Sequence, residues 1–318
     1  MPRLTVRHIT TYRYKNPVAF GEHRVMFRPR DSYDQHLIHA RLKVDPEPAS
    51  THWMHDVFGN CVAIICFAGR SDRLRFESEI KLDHVPSNAL EFPIASHAVR
   101  YPFSYDQQDV PDLLRSMERQ YPDRDNELTN WARRFLKLEG PSGTRDLLVA
   151  ITKAVRRDFT YVRREEMGIQ TPLQTLKTKS GSCRDFALLM IEAVRALGFA
   201  ARFVSGYLYV PSRDGSTDAA HKGGGSTHAW VQVYVPGAGW MEFDPTNGIV
   251  GSHDLIRVAV ARDPAQAVPL WGTWVGFPGD HQDLKVEVYV DSEPAPDQAQ
   301  PPVASDEPAH SANVASRP

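Results

Sequence analysis

Residues 180–199 read SGSCRDFALLMIEAVRALGF. Phe186, Leu189, Met190, Ala193, Val194 and Leu197 recur at three-and-four spacing, which predicts a helix with one face packed on a core. Ser182 is placed to cap its start, Asp185 stands three residues on as the acid of a capping box, and Gly198 is placed to end it. Cys183 therefore falls in the first helical turn. A thiol of ordinary pKa, near 8.5, is mostly protonated at neutral pH, and only the thiolate attacks a carbonyl well. The unpaired N–H groups and dipole of a helix start favour an anion, so this position predicts a depressed thiol pKa. The same N–H groups can receive a developing oxyanion.

Two further residues complete the chemistry. Thr227–Val235 reads THAWVQVYV, whose alternation predicts a strand opening at His228. Pro236-Gly237-Ala238-Gly239 is a turn signal, and Trp240–Asp244 returns as a second strand. In such a hairpin the opening residue of one strand and the closing residue of the next share an end, so His228 and Asp244 are expected to be neighbours. Histidine takes and returns a proton near neutral pH. Asp244, held extended by Pro245, can orient the ring and stabilise its charged form.

These stretches resemble the core of the transglutaminase-like superfamily, whose members share a papain-like fold. The opening LTVRHITTYRYKNPVAFGEHRVMFRPRD (4–31) and WMHDVFGN (53–60) resemble the amino-terminal domain that precedes this core in many bacterial members. The resemblance implies a Cys-His-Asp triad on Cys183, His228 and Asp244. It leaves the reaction open, because the superfamily includes cross-linking transferases, peptidases, amidases and inactive members.

The rest of the chain agrees with an α+β catalytic domain behind a β-rich one. Residues 1–105 alternate as strands: Leu4, Val6, His8, Thr10 and Tyr12 oppose Thr5, Arg7, Ile9 and Thr11, and Asp56–Asn60 is a turn. Cys61–Phe67 is apolar throughout, as in a strand buried on both faces, and a β-sandwich is expected. Residues 106–292 read as the catalytic core. Leu128, Trp131, Ala132 and Phe135 mark one helix; Leu147, Leu148, Ile151, Ala154 and Val155 mark another; strands from Ala201, the His228 hairpin and Leu284–Val290 follow. Residues 293–318 are Pro-, Ala- and acid-rich without periodicity, the composition of a disordered tail.

A length of 318 suits about two domains. The formal net charge of −2 offers no electrostatic footprint for nucleic acid. No apolar run approaches the ~20 residues of a membrane span, and the amino terminus lacks the apolar centre of a secretory signal. Three cysteines make no disulfide framework, so a reducing cytoplasm is the expected setting. No acidic loop has calcium-ligand spacing, and no cofactor or metal is expected.

Other residues compete for attention. His221, in the Gly-rich stretch 214–227, is an alternative base, although a base must be held within hydrogen-bonding reach. Residues 212–227 are placed to act as a flap. His52, His55, Cys61 and Cys66 are zinc-ligand types, but Cys61 and Cys66 point to opposite faces of one strand; buried core positions suit both cysteines better. His36 and His39 read as surface residues. Trp230, Trp240, Trp271 and Trp274 can wall a substrate groove or fill the core. Arg184 and Asp185 adjoin the nucleophile, where an uncompensated carboxylate opposes a thiolate, and Gln170 is a candidate second oxyanion donor. The expected function is acyl transfer from a protein or peptide amide through a thioester, to water or to an amine acceptor. The alternative is a non-catalytic module that binds a protein or cell-wall partner.

Overall fold

The computed structural model describes residues 3–85, 92–163, 168–209 and 227–293. Five strands come first: β1 (Arg3–Val25), β2 (Gln35–Asp45), β3 (Ser50–His55), β4 (Cys61–Cys66) and β5 (Arg70–His84). After β6 (Arg100–Tyr101) helices take over: α1 (Val110–Met117), α2 (Glu127–Arg133), α3 (Thr144–Asp158, preceded by β7, Ser142–Gly143), α4 (Pro172–Thr178, preceded by β8, Thr160–Tyr161) and, after β9 (Ser180–Gly181), α5 (Cys183–Ala196). A second sheet follows from β10 (Ala201–Leu208), β11 (His228–Val235), β12 (Gly239–Asp244), β13 (Ile249–Val250) and β14 (Leu255–Ala261), antiparallel in the order β13-β12-β11-β10-β14. The chain ends its described course in β15 (Leu270–Val275) and β16 (His281–Glu293).

Those last two strands depart from the sequence expectation. Leu284–Val290 was expected among the catalytic strands, but β16 pairs along the first half of β1, from Arg3 with Glu293 to Tyr14 with His281. Glu293, expected to open a disordered tail, is instead the last residue of this ladder. The β-rich region is also one continuous seven-stranded sheet rather than the two sheets of a sandwich. The reason is the length of β1. Its residues 3–13 lie between β5 and β16, and its residues 19–25 pair with β15 and, at 23–25, with β4. One strand therefore serves both halves, with register breaks on either side of residues 14–17.

Helix α5 is the centre of the second half. Phe186, Leu189, Met190, Ala193 and Val194 are buried against Ala229, Val231, Val233 and Val235 of β11 on one side and residues of α2 and α3 on others. Each large apolar side chain removed from water here contributes about 1.5–3 kcal/mol. Burial runs all round the helix, so its polar members Asp185, Glu192 and Arg195 are inside as well. At its C-terminus Gly198 takes φ +87°, Phe199 N–H donates to Val194 O and Gly198 N–H to Arg195 O, a Schellman ending.

The two sheets are fastened by apolar and polar contacts. Leu4, Val6, Ile80 and Leu82 pack against Tyr207, Ile256 and Val258. β14 is an edge strand of the second sheet, and two amide side chains complete its outer backbone groups. Gln35 Nε2 donates to Arg257 O (2.8 Å) and its Oε1 accepts from Arg257 N–H (3.0 Å); Asn60 does the same for Val260 (2.7 and 2.8 Å). An edge covered in this way cannot pair with another chain.

Between the sheets His8 is buried, with Nδ1 3.0 Å from the Tyr207 hydroxyl and Nε2 3.0 Å from Thr10 Oγ1. Burial pushes its pKa down to about 3. The unfolded chain binds this proton below about pH 6.5 and the folded chain does not. The stability assigned to His8 is therefore present above that pH and is lost as pH falls, by about 2 kcal/mol between pH 7 and 5. Urea unfolding of the wild type and His8→Gln at both pH values should show the larger loss in the wild type; equal losses would remove this assignment.

Candidate active site

The start of α5 is built by its own residues. Ser182 N–H and its hydroxyl both donate to Asp185 Oδ2 at 2.8 Å, and Gln170 N–H donates to Asp185 Oδ1 at 2.7 Å. The carboxylate beside the nucleophile is thus held by three uncharged donors, two from Ser182 and one from Gln170. Gln170 Oε1 accepts the Thr175 hydroxyl at 3.2 Å; its backbone and side-chain oxygen hold the loop before α5. Gly181 is needed for closeness, since a Cβ there would lie 2.8 Å from Asp185 Cβ and 3.3 Å from the Phe186 ring. Cys183 follows, buried, with its N–H among the four that a helix leaves without an internal partner.

His228 and Asp244 meet at the open end of the β11–β12 hairpin, beyond the last ladder pair, Val231 with Phe243. His228 Nε2 lies 2.8 Å from Asp244 Oδ2, and both side chains are buried. Asp244 is itself held from the turn: Oδ1 accepts Thr246 N–H (2.8 Å) and Asn247 N–H (3.3 Å), and Oδ2 accepts Asn247 Nδ2 (2.8 Å). Burial opposes charge on both partners. For His228 the charge and hydrogen bond of Asp244, with a further contribution from the Cys183 thiol, outweigh it and hold the ring up to about 10. For Asp244 the charge and hydrogen bond of His228, joined by Asn247 and Thr246, hold the carboxyl below its ordinary value. With Nε2 taken by Asp244, the buried Nδ1 has no hydrogen bond of ordinary geometry, and it is the ring atom left to face the thiol.

Two residues, Asn247 and Tyr161, were not anticipated. Asn247 braces the Asp244 carboxylate; its signal was the Asp-Pro-Thr-Asn turn, in which side chains bond their own backbone. Tyr161 pairs with Gly181 at the entry to α5, its ring 6.5 Å from that of Phe186, and burial, then the charge of Cys183, raises its phenol to about 12; nothing local in the sequence marked it. Trp230 stacks on His228, centroids 6.0 Å apart, and its Nε1 donates to Glu242 Oε2.

The remaining candidates lie elsewhere. His221 and the expected flap fall outside the described residues, apart from Thr227. Trp271 and Trp274 belong to β15 in the first sheet, remote in the chain topology from the His228 hairpin, while Trp230 is core and Trp240 is half-buried. His36 is exposed beside Asp31, and His39 is exposed. His52 and His55 are exposed on β3; Cys61 is half-buried and Cys66 exposed, so the expectation that both cysteines are core fails because they are the two end residues of β4. Among the described residues no group of three or more His, Cys, Asp or Glu is arranged to hold a metal ion, and no helix is long and apolar enough to cross a membrane.

Residues 129–245 match the transglutaminase-like superfamily, and residues 4–83 match the bacterial transglutaminase-like N-terminal region. Residues 129–245 carry a transglutaminase-like core. Relatives of this transglutaminase-like protein include an uncharacterized protein of Mycobacterium leprae, 26% identical over 91% of this chain and 99% of that one. Another, from Mycobacterium tuberculosis, is 29% identical over 85% of this chain and 87% of its own length. The transglutaminase-like fold is shared with a solved structure from Cytophaga hutchinsonii, provisionally assigned as a cysteine protease, at TM-score 0.66 and 19% identity over 93% of both chains.

Proposed function

We propose that the chain is a cysteine-dependent acyl-transfer enzyme acting on amides of proteins or peptides, with Cys183 as nucleophile, His228 as acid and base, and Asp244 as the group that holds the ring. The observation that carries this reading is the buried His228–Asp244 pair beside a thiol at a helix start. An imidazolium facing Sγ favours the thiolate. Sγ attacks the carbonyl carbon, and the oxyanion is received by N–H donors of the first turn of α5. The C–N bond breaks as His228 delivers its proton to the departing amine, leaving a thioester on Cys183. His228, now neutral, then takes a proton from water or from an acceptor amine, whose attack releases the acyl group and restores thiolate and imidazolium. Water gives hydrolysis; an amine gives transamidation.

The test separates this reading from a binding module. p-Nitrophenyl acetate should release a burst of one equivalent of nitrophenolate and leave an acetyl group on the peptide containing Cys183, located by mass spectrometry. Cys183→Ala should show neither. Iodoacetamide reacting with Cys183 no faster than with exposed Cys66 in the wild type, together with no acetyl-enzyme, would overturn the proposal. Amide peptides tested with and without added alkylamine then decide the acceptor.

A further inference from the structure

A cleft of about 400 Å³ lies between the amino-terminal region and the face of the second sheet opposite α5, with Arg30, Phe58, Arg202, Trp240, Met241 and Arg257 among its walls. Its charges are unequally answered. Arg257 is matched twice, by Asp34 at 3.0 Å and Glu242 at 2.6 Å. Asp31, at the rim, is taken by His36 and by Leu37 N–H. Among the described residues Arg202 faces no carboxylate within ion-pair distance: its Nε donates to Gln232 Oε1 (2.7 Å), and its guanidinium lies over the Trp240 ring, 4.1 Å from the centroid. Burial, and then the nearby charges of Arg257 and Arg30, push its pKa down to about 10 despite Glu242. A cation in this position is destabilised by its neighbours and needs an anion. The terminal N–H groups of a guanidinium lie in its own plane, the geometry that receives a carboxylate on two bonds.

We propose that this cleft is a binding site for a small organic carboxylate, with the carboxylate on Arg202 and Arg30 and an apolar body against Phe58 and Trp240. A volume of this size falls in the range of small-molecule sites. It is separate from the reacting centre. Arg202 pairs with Gln232 and His228 with Gly206, four residues further along β10 and so about 13 Å away. Fully buried Trp230 stands between them.

The experiment is calorimetric titration of full-length Cys183→Ala protein with N-acetyl-leucine, with its uncharged amide, and with inorganic phosphate. Expected are binding of the acid with Kd of about 1 mM or tighter, and at least about ten-fold weaker binding of both the amide and phosphate. Arg202→Gln and, independently, exposed Arg30→Gln should each weaken the acid by about five-fold or more. Arg30→Gln decides the matter if the half-buried Arg202→Gln variant does not fold. Acid and amide binding alike, no binding of the acid up to about 20 mM, or an affinity unmoved by Arg30→Gln would overturn the proposal. Phosphate binding as tightly as the acid would overturn the organic carboxylate as its ligand.

Discussion

Asp244→Asn should lower the rate of Cys183 acylation at pH 7 by about 10²- to 10⁴-fold, the range expected when the orienting member of a triad loses its charge. The substitution keeps Oδ1, and with it the bonds from Thr246 and Asn247 N–H. It turns Oδ2 into an amide donor facing two existing donors, His228 Nε2–H and Asn247 Nδ2. The ring must give up that proton. Without the carboxylate, burial is the dominant influence on His228 and it favours the neutral ring. In the wild type the alkaline limb of acylation should therefore fall near pH 10, and in Asp244→Asn it should move below neutrality. An alkaline limb that stays in place would mean that Asp244 does not set the charge of His228. Stability follows the same signs. The raised pKa of His228 contributes fully below its unfolded value of 6.5 and fades as pH rises through about 10. The lowered pKa of Asp244 contributes above its ordinary value of 3.8 and is lost in acid. The variant should accordingly lose most stability, relative to wild type, between about pH 4 and 6.5.

Glu192→Leu should be the most destabilising single change in α5, by about 3–5 kcal/mol in urea unfolding at pH 7. Glu192 and Arg195 are fully inside and 2.9 Å apart. The carboxylate also accepts Gln120 and Tyr121 N–H and lies 3.6 Å from Arg119 Nε. Arg195 in turn donates to Ser116 O, Ala201 O and Arg262 O. Removing Glu192 leaves a buried guanidinium whose pKa burial already depresses, and two backbone donors without partners. Adding Arg195→Leu should return part of the loss, and that coupling is the quantity to measure. Additive effects would show that the two charges stabilise the fold independently.

What was legible in the sequence was local. The limits of α5 follow from Ser182, Asp185 and Gly198, and the proximity of His228 to Asp244 follows from hairpin arithmetic, because capping and turn chemistry act within a few residues. Helical periodicity foretold one buried face of α5. It could not foretell that neighbours would enclose the helix, which turns Glu192 and Arg195 from surface residues into a core pair. The partnership of β1 with β16 was equally hidden: Leu4 and Ser292 carry no mark of each other, and a strand pattern does not say which sheet it joins. Arg202 escaped notice because a single arginine in a strand becomes informative only once the nearby carboxylates are seen to be engaged by other partners.

The return of β16 to β1 also sets a schedule for biosynthesis. At about 5–20 residues per second, a ribosome needs roughly 15–60 s between making Leu4 and making Ser292. Once Arg70–His84 has been made the nascent chain can dock β5 on one flank of β1, while the other flank carries bare N–H and C=O groups. Every newly made copy passes through a stage with an open template for strand addition. Slowing translation before residue 281 should therefore raise aggregation during synthesis while leaving the finished protein unchanged.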